Sequence, residues 1–142
     1  MFSTVAVGTD GSETASVAVG TAVDLARRFG ARLVLLSAFQ DPRRAAQWGT
    51  DSFVVAEWAT STSAQVREIL ARTEADVRSQ GVDCTTRIDE GDPADMLVQL
   101  ATECGAELLV IGNKGMRRRI LGSVPNTVAH KAPCSVLVVK TT

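Results

Sequence analysis

The sequence predicts a doubly wound α/β domain built on a five-stranded parallel sheet. Short apolar segments alternate with segments whose apolar residues recur every three or four positions, which is typical of strands alternating with helices. Most of the apolar segments are hydrophobic at every position, as in parallel sheets that helices cover on both faces. Glycines and helix-capping residues separate the segments, so the predicted order is β-α-β-α-β-α-β-α-β.

The first three elements have clear boundaries. A strand over residues 4–8 is followed by the turn sequence Thr9-Asp10-Gly11-Ser12. Ser12 is a favourable N-cap for the helix that follows, and Gly30 is a favourable C-cap at its other end. The second strand, predicted at 32–39, is apolar on both faces.

A connection of about twenty residues, 40–62, follows the second strand and contains both tryptophans, Trp48 and Trp58. This is long for a compact domain, and long connections are often functional lids. A helical insertion that packs its aromatic residues on the surface is the other interpretation. The sequence leaves both open.

The middle of the chain predicts two more helices around an edge strand. The second helix ends at Gly81, and its apolar face consists of Val66, Ile69, Leu70, Thr73 and Val77. Residues 82–88 alternate between apolar and polar, which favours a half-exposed edge strand. Asp92 as N-cap and Pro93 in the first turn begin the third helix, which Gly105 ends. Its buried face is expected to contain Leu97, Leu100, Ala101 and Cys104.

The fourth strand, predicted at 108–111, leads into a glycine-rich loop, 112–123, and then a helix that runs to about Lys131. Glycines let a backbone approach an anion closely, and the N–H groups at the start of a helix can bind it. The loop also carries Lys114 and Arg117 to Arg119, so it is a candidate phosphate site. It is neither a Walker loop nor a dinucleotide fingerprint. A strand-to-helix turn whose glycines serve only sharp bends is the other interpretation.

The strand order follows from the two small-residue loops, Gly8 to Ser12 and Gly112 to Ser123. If both loops line one site, the first and fourth strands are neighbours, which gives the order 3-2-1-4-5 and leaves the alternating third strand at an edge. The fifth strand, 134–139, is then the other edge. It is apolar and uninterrupted, which favours antiparallel pairing with the same strand of a second copy.

Composition narrows the class of protein. A chain of 142 residues predicts one domain, 1–142, and a net charge of −1 argues against nucleic-acid or membrane-surface partners. The three cysteines form no Cys-x-x-Cys pair, and the chain shows no signal peptide or membrane span, so a cytoplasmic protein is expected. No metal-ligand cluster or catalytic triad is visible. The lone histidine, His130, is interpreted as a surface or capping residue near a helix end. Without a residue placed for acid–base catalysis, the chain is not expected to be an enzyme.

Six segments carry a resemblance to a known family: Val7 to Ser12, Leu33 to Phe39, Gly91-Asp92-Pro93, Val110 to Gly115, Leu121 to Asn126 and Ala132 to Val139. In these segments, which run from end to end of the sequence, the chain resembles the universal stress protein family. The resemblance implies an adenine nucleotide alpha hydrolase-like fold and the ATP-binding subclass, which carries Gly-x-x-Gly and Gly-Ser. It also implies a stress-response module and a homodimer formed through the last strand, Cys134 to Val139.

The resemblance also implies ten site residues. Thr9 and Asp10 would lie against the adenosine, with the Asp10 carboxylate accepting from a ribose hydroxyl, and Gly8 would leave room beside them. Ala38 and Ile111 would contact adenine. Gly112 and Gly115 would let the backbone wrap the phosphates. Gly122, Ser123 and Val124 would donate N–H groups to the phosphate tail, together with the Ser123 hydroxyl.

The chain departs from the family pattern in one place. The family has nine residues between the second and third glycines of the motif, whereas six, 116–121, separate Gly115 from Gly122 here. The shorter loop leaves ATP, with or without Mg²⁺, as the expected ligand, and AMP or cyclic AMP as the alternative. A slow ATP hydrolase and a dimeric scaffold that binds no nucleotide are the remaining hypotheses.

Overall fold

The computed structural model describes residues 2–39, 63–113 and 123–141 of the chain. Within these ranges five strands alternate with four helices, as the sequence predicts. The strands are β1 Thr4–Gly8, β2 Arg32–Phe39, β3 Cys84–Glu90, β4 Leu108–Gly112 and β5 Ser135–Val139. The helices are α1 Glu13–Phe29, α2 Ser63–Ser79, α3 Pro93–Glu103 and α4 Ser123–Lys131. The two interpretations of the connection 40–62 lie outside the described residues.

The five strands form one parallel sheet in the order β3-β2-β1-β4-β5, which confirms the predicted order. β1 pairs with β2 on one side and with β4 on the other, where Val7 lies beside Val110. From β1 the chain moves outward through β2 and β3, and it then returns across the sheet to β4 and β5. The winding therefore reverses between β1 and β4, and the carboxyl ends of all five strands lie at one edge.

The hydrophobic core has two layers, one on each face of the sheet. Alternate residues of β1 point to opposite faces: Val5 and Val7 pack with α1 and α2, whereas Ala6 packs with α3 and α4. The central strands are consequently buried on both sides, which explains their continuous apolar sequence. The doubly wound architecture is thereby confirmed.

The predicted helix caps are confirmed in detail. The Ser12 hydroxyl accepts a hydrogen bond from the Ala15 N–H at 3.2 Å, and Gly30 ends α1 in the left-handed conformation with φ 65°. The Asp92 carboxylate accepts from the Asp95 N–H at 3.1 Å, with Pro93 in the first turn of α3. These caps satisfy backbone groups that would otherwise lack partners at the helix ends.

Several predicted boundaries are off by one or two residues. β3 begins at Cys84 and ends at Glu90, because its pairing with β2 continues from Leu33 to Phe39 and sets its length. β5 begins at Ser135, opposite Leu108 of β4. Pairing partners on distant strands decide these strand ends, and hydrophobicity along the chain does not report them. The predicted end of α3 is confirmed, because Gly105 follows the helix in the left-handed conformation with φ 70°.

Polar contacts join neighbouring segments at the amino edge of the sheet. One Glu107 carboxylate oxygen accepts from the Ser3 N–H at 2.8 Å, from the Ser3 hydroxyl and from the Thr4 N–H at 3.2 Å. Arg32 donates to the Thr4 hydroxyl at 3.0 Å and to the Cys104 carbonyl at 2.8 Å. The predicted site lies at the opposite, carboxyl edge.

Candidate functional site

β1 ends earlier at the carboxyl edge than the strands on either side of it. Gly8, its last residue, lies beside Leu36, and β2 continues from there to Phe39. β4 likewise continues past Val110, the partner of Val7, to Gly112. The chain therefore leaves the sheet after Gly8 between two strands that extend further, at the point where the winding reverses.

Gly8 and Ile111, two predicted site residues, lie side by side. A Cβ atom built on Gly8 would be 3.6 Å from Cγ2 of Ile111 and 3.2 Å from both terminal carbons of Leu97 on α3. The resemblance implies that Gly8 leaves room for the backbone beside the adenosine. Gly8 also allows α3 to pack closely on β1, because a side chain there would meet Leu97.

The turn after β1 is held in shape by its own polar groups. The Thr9 N–H donates to the Leu36 carbonyl at 2.9 Å, and the Thr9 hydroxyl accepts from the Gly11 N–H at 3.1 Å. The Asp10 carboxylate accepts from the Ser12 N–H at 2.9 Å, which is an Asx turn leading into α1. Thr9 is buried and Asp10 is half-buried. Asp10 therefore provides a fixed anionic acceptor at the start of a helix.

Gly11 is held against α2. Its φ is 80°, in the left-handed region, and a Cβ on it would overlap Cγ2 of Ile69. Sequence analysis places Ile69 only on the apolar face of α2, where it is half-buried. No local pattern links residue 69 to the turn after β1, so this contact was not predicted.

Ala38 and Ile111 both lie on the face of the sheet that α3 and α4 cover. Ile111 belongs to that core layer, and Ala38 follows Leu36 of the same layer by two positions on β2. Their exposed fractions are 1% and 4%. Both side chains are therefore almost completely covered by the rest of the chain.

At the end of β4, Gly112 is followed by Asn113, which is 3% exposed. The side-chain oxygen of Asn113 accepts from the Thr141 N–H at 2.7 Å and from the Thr141 hydroxyl at 3.0 Å. The contact between Asn113 and Thr141 was not predicted, because nothing in the local sequence connects positions 113 and 141. The predicted residues Gly115 and Gly122, with the basic side chains between them, lie outside the described residues.

Ser123 and Val124 are the first two residues of α4. Since α4 connects the parallel strands β4 and β5, its amino end lies at the carboxyl edge of the sheet. Ser123 is exposed and Val124 is half-buried. The predicted residues that the structure describes therefore belong to one edge of the sheet, from β2 across β1 and β4 to the start of α4.

Asp92 lies at this edge, whereas His130 lies at the other end of α4, toward the amino edge of the sheet. The Asp92 carboxylate caps α3 by accepting from the Asp95 N–H, and burial raises the pKa of this carboxyl group above its usual range. His130 is exposed in the last turn of α4, as the sequence predicts. In the described ranges no three His, Cys, Asp or Glu side chains are grouped to hold a metal ion. None of the helices described is long and apolar enough to span a membrane.

A parallel sheet that reverses its winding between adjacent strands β1 and β4 defines a doubly wound α/β domain, a class in which ligands generally bind at that reversal. The chain belongs to the universal stress protein family, whose family model matches residues 1–140. This confirms the resemblance stated from the sequence motifs.

Individual relatives cover the chain almost completely. A universal stress protein of Mycobacterium tuberculosis is 37% identical over 99% of this chain and 98% of its own length. A crystal structure of a universal stress protein in complex with cAMP is 33% identical, with a TM-score of 0.75 over 99% of this chain and 98% of that one. A universal stress protein of Archaeoglobus fulgidus in complex with dAMP is 22% identical, with a TM-score of 0.71 over 96% of each chain, and shows the fold alone.

Proposed function

We propose that this protein binds an adenine nucleotide between the turn after β1 and the loop after β4, and that it acts as a regulatory module of the stress response. The adjacency of β1 and β4 is the observation that carries the proposal, since it brings residues 8–10 and 111–113 to one edge. In this assignment Asp10 accepts from a ribose hydroxyl. Backbone N–H groups of residues 122–124 bind the phosphate oxygens, and Gly112 and Gly115 let the backbone wrap them.

The regulatory role follows from mass action. A nucleotide that binds only the folded protein stabilises it and shifts its conformational equilibrium toward the bound state. Partners that distinguish the two states then respond to the nucleotide concentration.

ATP is the first candidate ligand, because the chain carries the Gly-x-x-Gly and Gly-Ser elements of the ATP-binding subclass. Cyclic AMP is the second candidate, and two observations favour it. The 33% identical structure is a complex with cAMP. Only six residues, 116–121, separate Gly115 from Gly122, which suits a ligand with fewer phosphates.

Equilibrium dialysis with labelled ATP and labelled cyclic AMP tests the site. Asp10→Asn is a sharper variant than Asp10→Ala, because an amide oxygen still accepts from the Ser12 N–H and preserves the Asx turn. It removes the charge that strengthens a hydrogen bond from ribose. We expect Asp10→Asn and Gly115→Val to lose most of the binding without unfolding.

Asp24→Asn is the matched control for Asp10→Asn, because Asp24 is an exposed acid on α1 far from the carboxyl edge. It should bind as the wild type does. Wild-type affinity in both Asp10→Asn and Gly115→Val would refute the assigned residues.

Heating the purified protein and identifying any nucleotide in the supernatant distinguishes ATP from cyclic AMP directly. If no nucleotide is released and none binds in dialysis, the protein is a scaffold that binds no nucleotide.

The oligomer that we propose is a homodimer in which Cys134 to Val139 pairs with its counterpart. β5 is an edge strand of the sheet, and its apolar residues Val136 to Val139 are half-exposed. A charged side chain on an edge strand opposes pairing between sheets. Val138→Lys should therefore shift the mass measured by light scattering toward the monomer, whereas an unchanged dimer would place the interface elsewhere.

A further inference from the structure

Asn113 follows β4 directly, and its side chain is fixed by Thr141, which follows β5. Its oxygen accepts two hydrogen bonds from Thr141, one from the backbone N–H at 2.7 Å and one from the hydroxyl at 3.0 Å. A backbone N–H is only a donor, so it identifies the oxygen of the Asn113 amide as the atom on this side. At 3% exposure, water does not compete effectively for these bonds.

Two further contacts join the same segments. The Asn113 N–H donates to the Val139 carbonyl at 2.9 Å, which extends the β4–β5 pairing by one bond beyond Gly112. A Cβ on Gly112 would lie 3.1 Å from the methyl carbon of Thr141. Gly112 does not adopt a left-handed conformation. Its lack of a side chain therefore leaves space for Thr141.

We infer that Asn113 is a positioning residue for nucleotide binding, and that Thr141 is its partner. We call the contacts among Gly112, Asn113, Val139 and Thr141 the tail clamp. The inference rests on the proposed function, because the tail clamp fixes the end of β4, where Gly112 belongs to the proposed nucleotide site. Through the tail clamp, the affinity for nucleotide depends on a residue that follows the edge strand β5.

The physical reason is preorganisation. Ordering the backbone of a binding site costs conformational entropy, and a site in which Gly112 and Asn113 are already fixed by Thr141 loses less on binding. The coupling is also reciprocal: if the tail clamp favours nucleotide binding, bound nucleotide favours the tail clamp by the same factor. Nucleotide binding therefore restrains Thr141, at the end of the sheet edge proposed to pair in the dimer.

Three substitutions at Thr141 test the inference by dialysis with labelled ATP and cyclic AMP. Thr141→Val keeps the shape and removes the hydroxyl bond, so the Kd should rise about threefold to tenfold. Thr141→Pro also removes the N–H and should raise the Kd further. Thr141→Ser retains both donors and should bind like the wild type. Thr102→Val is the matched control, because its hydroxyl donates to the Val98 carbonyl on exposed α3 surface.

A second measurement separates positioning from general stability. Urea unfolding without nucleotide should show a modest loss of stability in Thr141→Val and a smaller one in Thr102→Val, because only Thr141 donates to a buried oxygen. The positioning role predicts that the Kd rises in Thr141→Val as well, whereas a merely structural role predicts the loss of stability with an unchanged Kd. Hydrogen exchange at the Thr141 amide should slow when nucleotide is added to the wild type and should slow less in Asn113→Leu, which lacks the acceptor oxygen.

The outcomes distinguish the two proposals. A wild type that binds neither nucleotide overturns the proposed function and this inference with it. A wild type that binds, together with unchanged Kd values in Thr141→Val and Thr141→Pro, overturns the tail clamp alone. Weak binding in Asn113→Leu with full binding in both Thr141 variants would instead mean that Asn113 contacts the nucleotide directly, which also refutes the positioning role.

Discussion

Leu97 of α3 lies against Gly8 of β1, with both of its terminal carbons 3.2 Å from the position that a Cβ on Gly8 would occupy. Gly8→Ala should therefore destabilise the fold by about 1 kcal/mol, because the added methyl group overpacks this contact. Unfolding in urea measures the effect.

Gly20→Ala is a suitable control for that substitution. Gly20 lies within α1, and a Cβ there would meet nothing within 4 Å. Alanine should stabilise α1 by about 0.5–1 kcal/mol, since glycine is unfavourable inside a helix. A Gly8→Ala protein that is also more stable than the wild type would show that Leu97 yields without cost.

Gly11→Ala should be more destabilising than Gly30→Ala. Both glycines have left-handed φ values, 80° and 65°, and a side chain at either should cost about 1–2 kcal/mol in backbone strain. At Gly30 the space is open, whereas at Gly11 the new methyl overlaps Ile69, whose β-branched side chain turns away with difficulty. Thermal or urea unfolding of the two variants isolates the overlap. Adding Ile69→Ala to Gly11→Ala should recover part of the difference, and equal losses in the two single variants would contradict this contact.

Glu107 should make stability dependent on acid pH. Hydrogen bonds from the Ser3 hydroxyl and N–H, the largest causes, hold the pKa of Glu107 below its ordinary value of 4.5. A carboxyl group whose pKa is lower in the folded state stabilises the fold above its unfolded pKa, and the contribution is lost as the pH falls through the folded pKa. Urea midpoints of the wild type and Glu107→Gln should therefore differ more at pH 7 than at pH 3. Ser3→Ala should fall between them at pH 7, because two backbone donors remain; a pH-independent difference would be inconsistent with this role.

The cysteines should differ in reactivity. Burial, followed by the charge of Glu74, raises the pKa of the fully buried Cys84 thiol to about 11, and burial raises the pKa of the half-buried Cys134 thiol. Thiolates are the reactive form, so both thiols should be slow at pH 8. Cys134, with its greater exposure, should react first with a disulfide reagent, and Cys84 only after unfolding. Loss of the first reacting group in Cys134→Ser would confirm the assignment, whereas rapid reaction of Cys84 in the folded protein would contradict it.

The order of elements was readable from the sequence, because its determinants are local. Ser12, Gly30 and Asp92 act on the backbone within a few residues of themselves, and the predicted caps are those observed. The apolar runs of β1, β2 and β4 report burial on both faces, and the alternation before Glu90 reports an edge. The strand order followed from one added condition, that two small-residue loops share a site.

The candidate site was only partly readable. The turn at residues 9–12 and the start of α4 were predictable from their residue types, because threonine, aspartate, glycine and serine are typical of turns and helix caps. The burial of Ala38 and Ile111, and the role of Asn113, depend on what other segments place against them.

The residues of this chain thus specify its helices, strands and winding through short-range preferences that any stretch of polypeptide carries with it. Three contacts arise only when the sheet is assembled: Gly8 with Leu97, Gly11 with Ile69, and Asn113 with Thr141. Each joins residues that are distant in sequence, the last pair 28 positions apart. Such pairings depend on the register and packing of the whole domain, so no pattern within either segment encodes them.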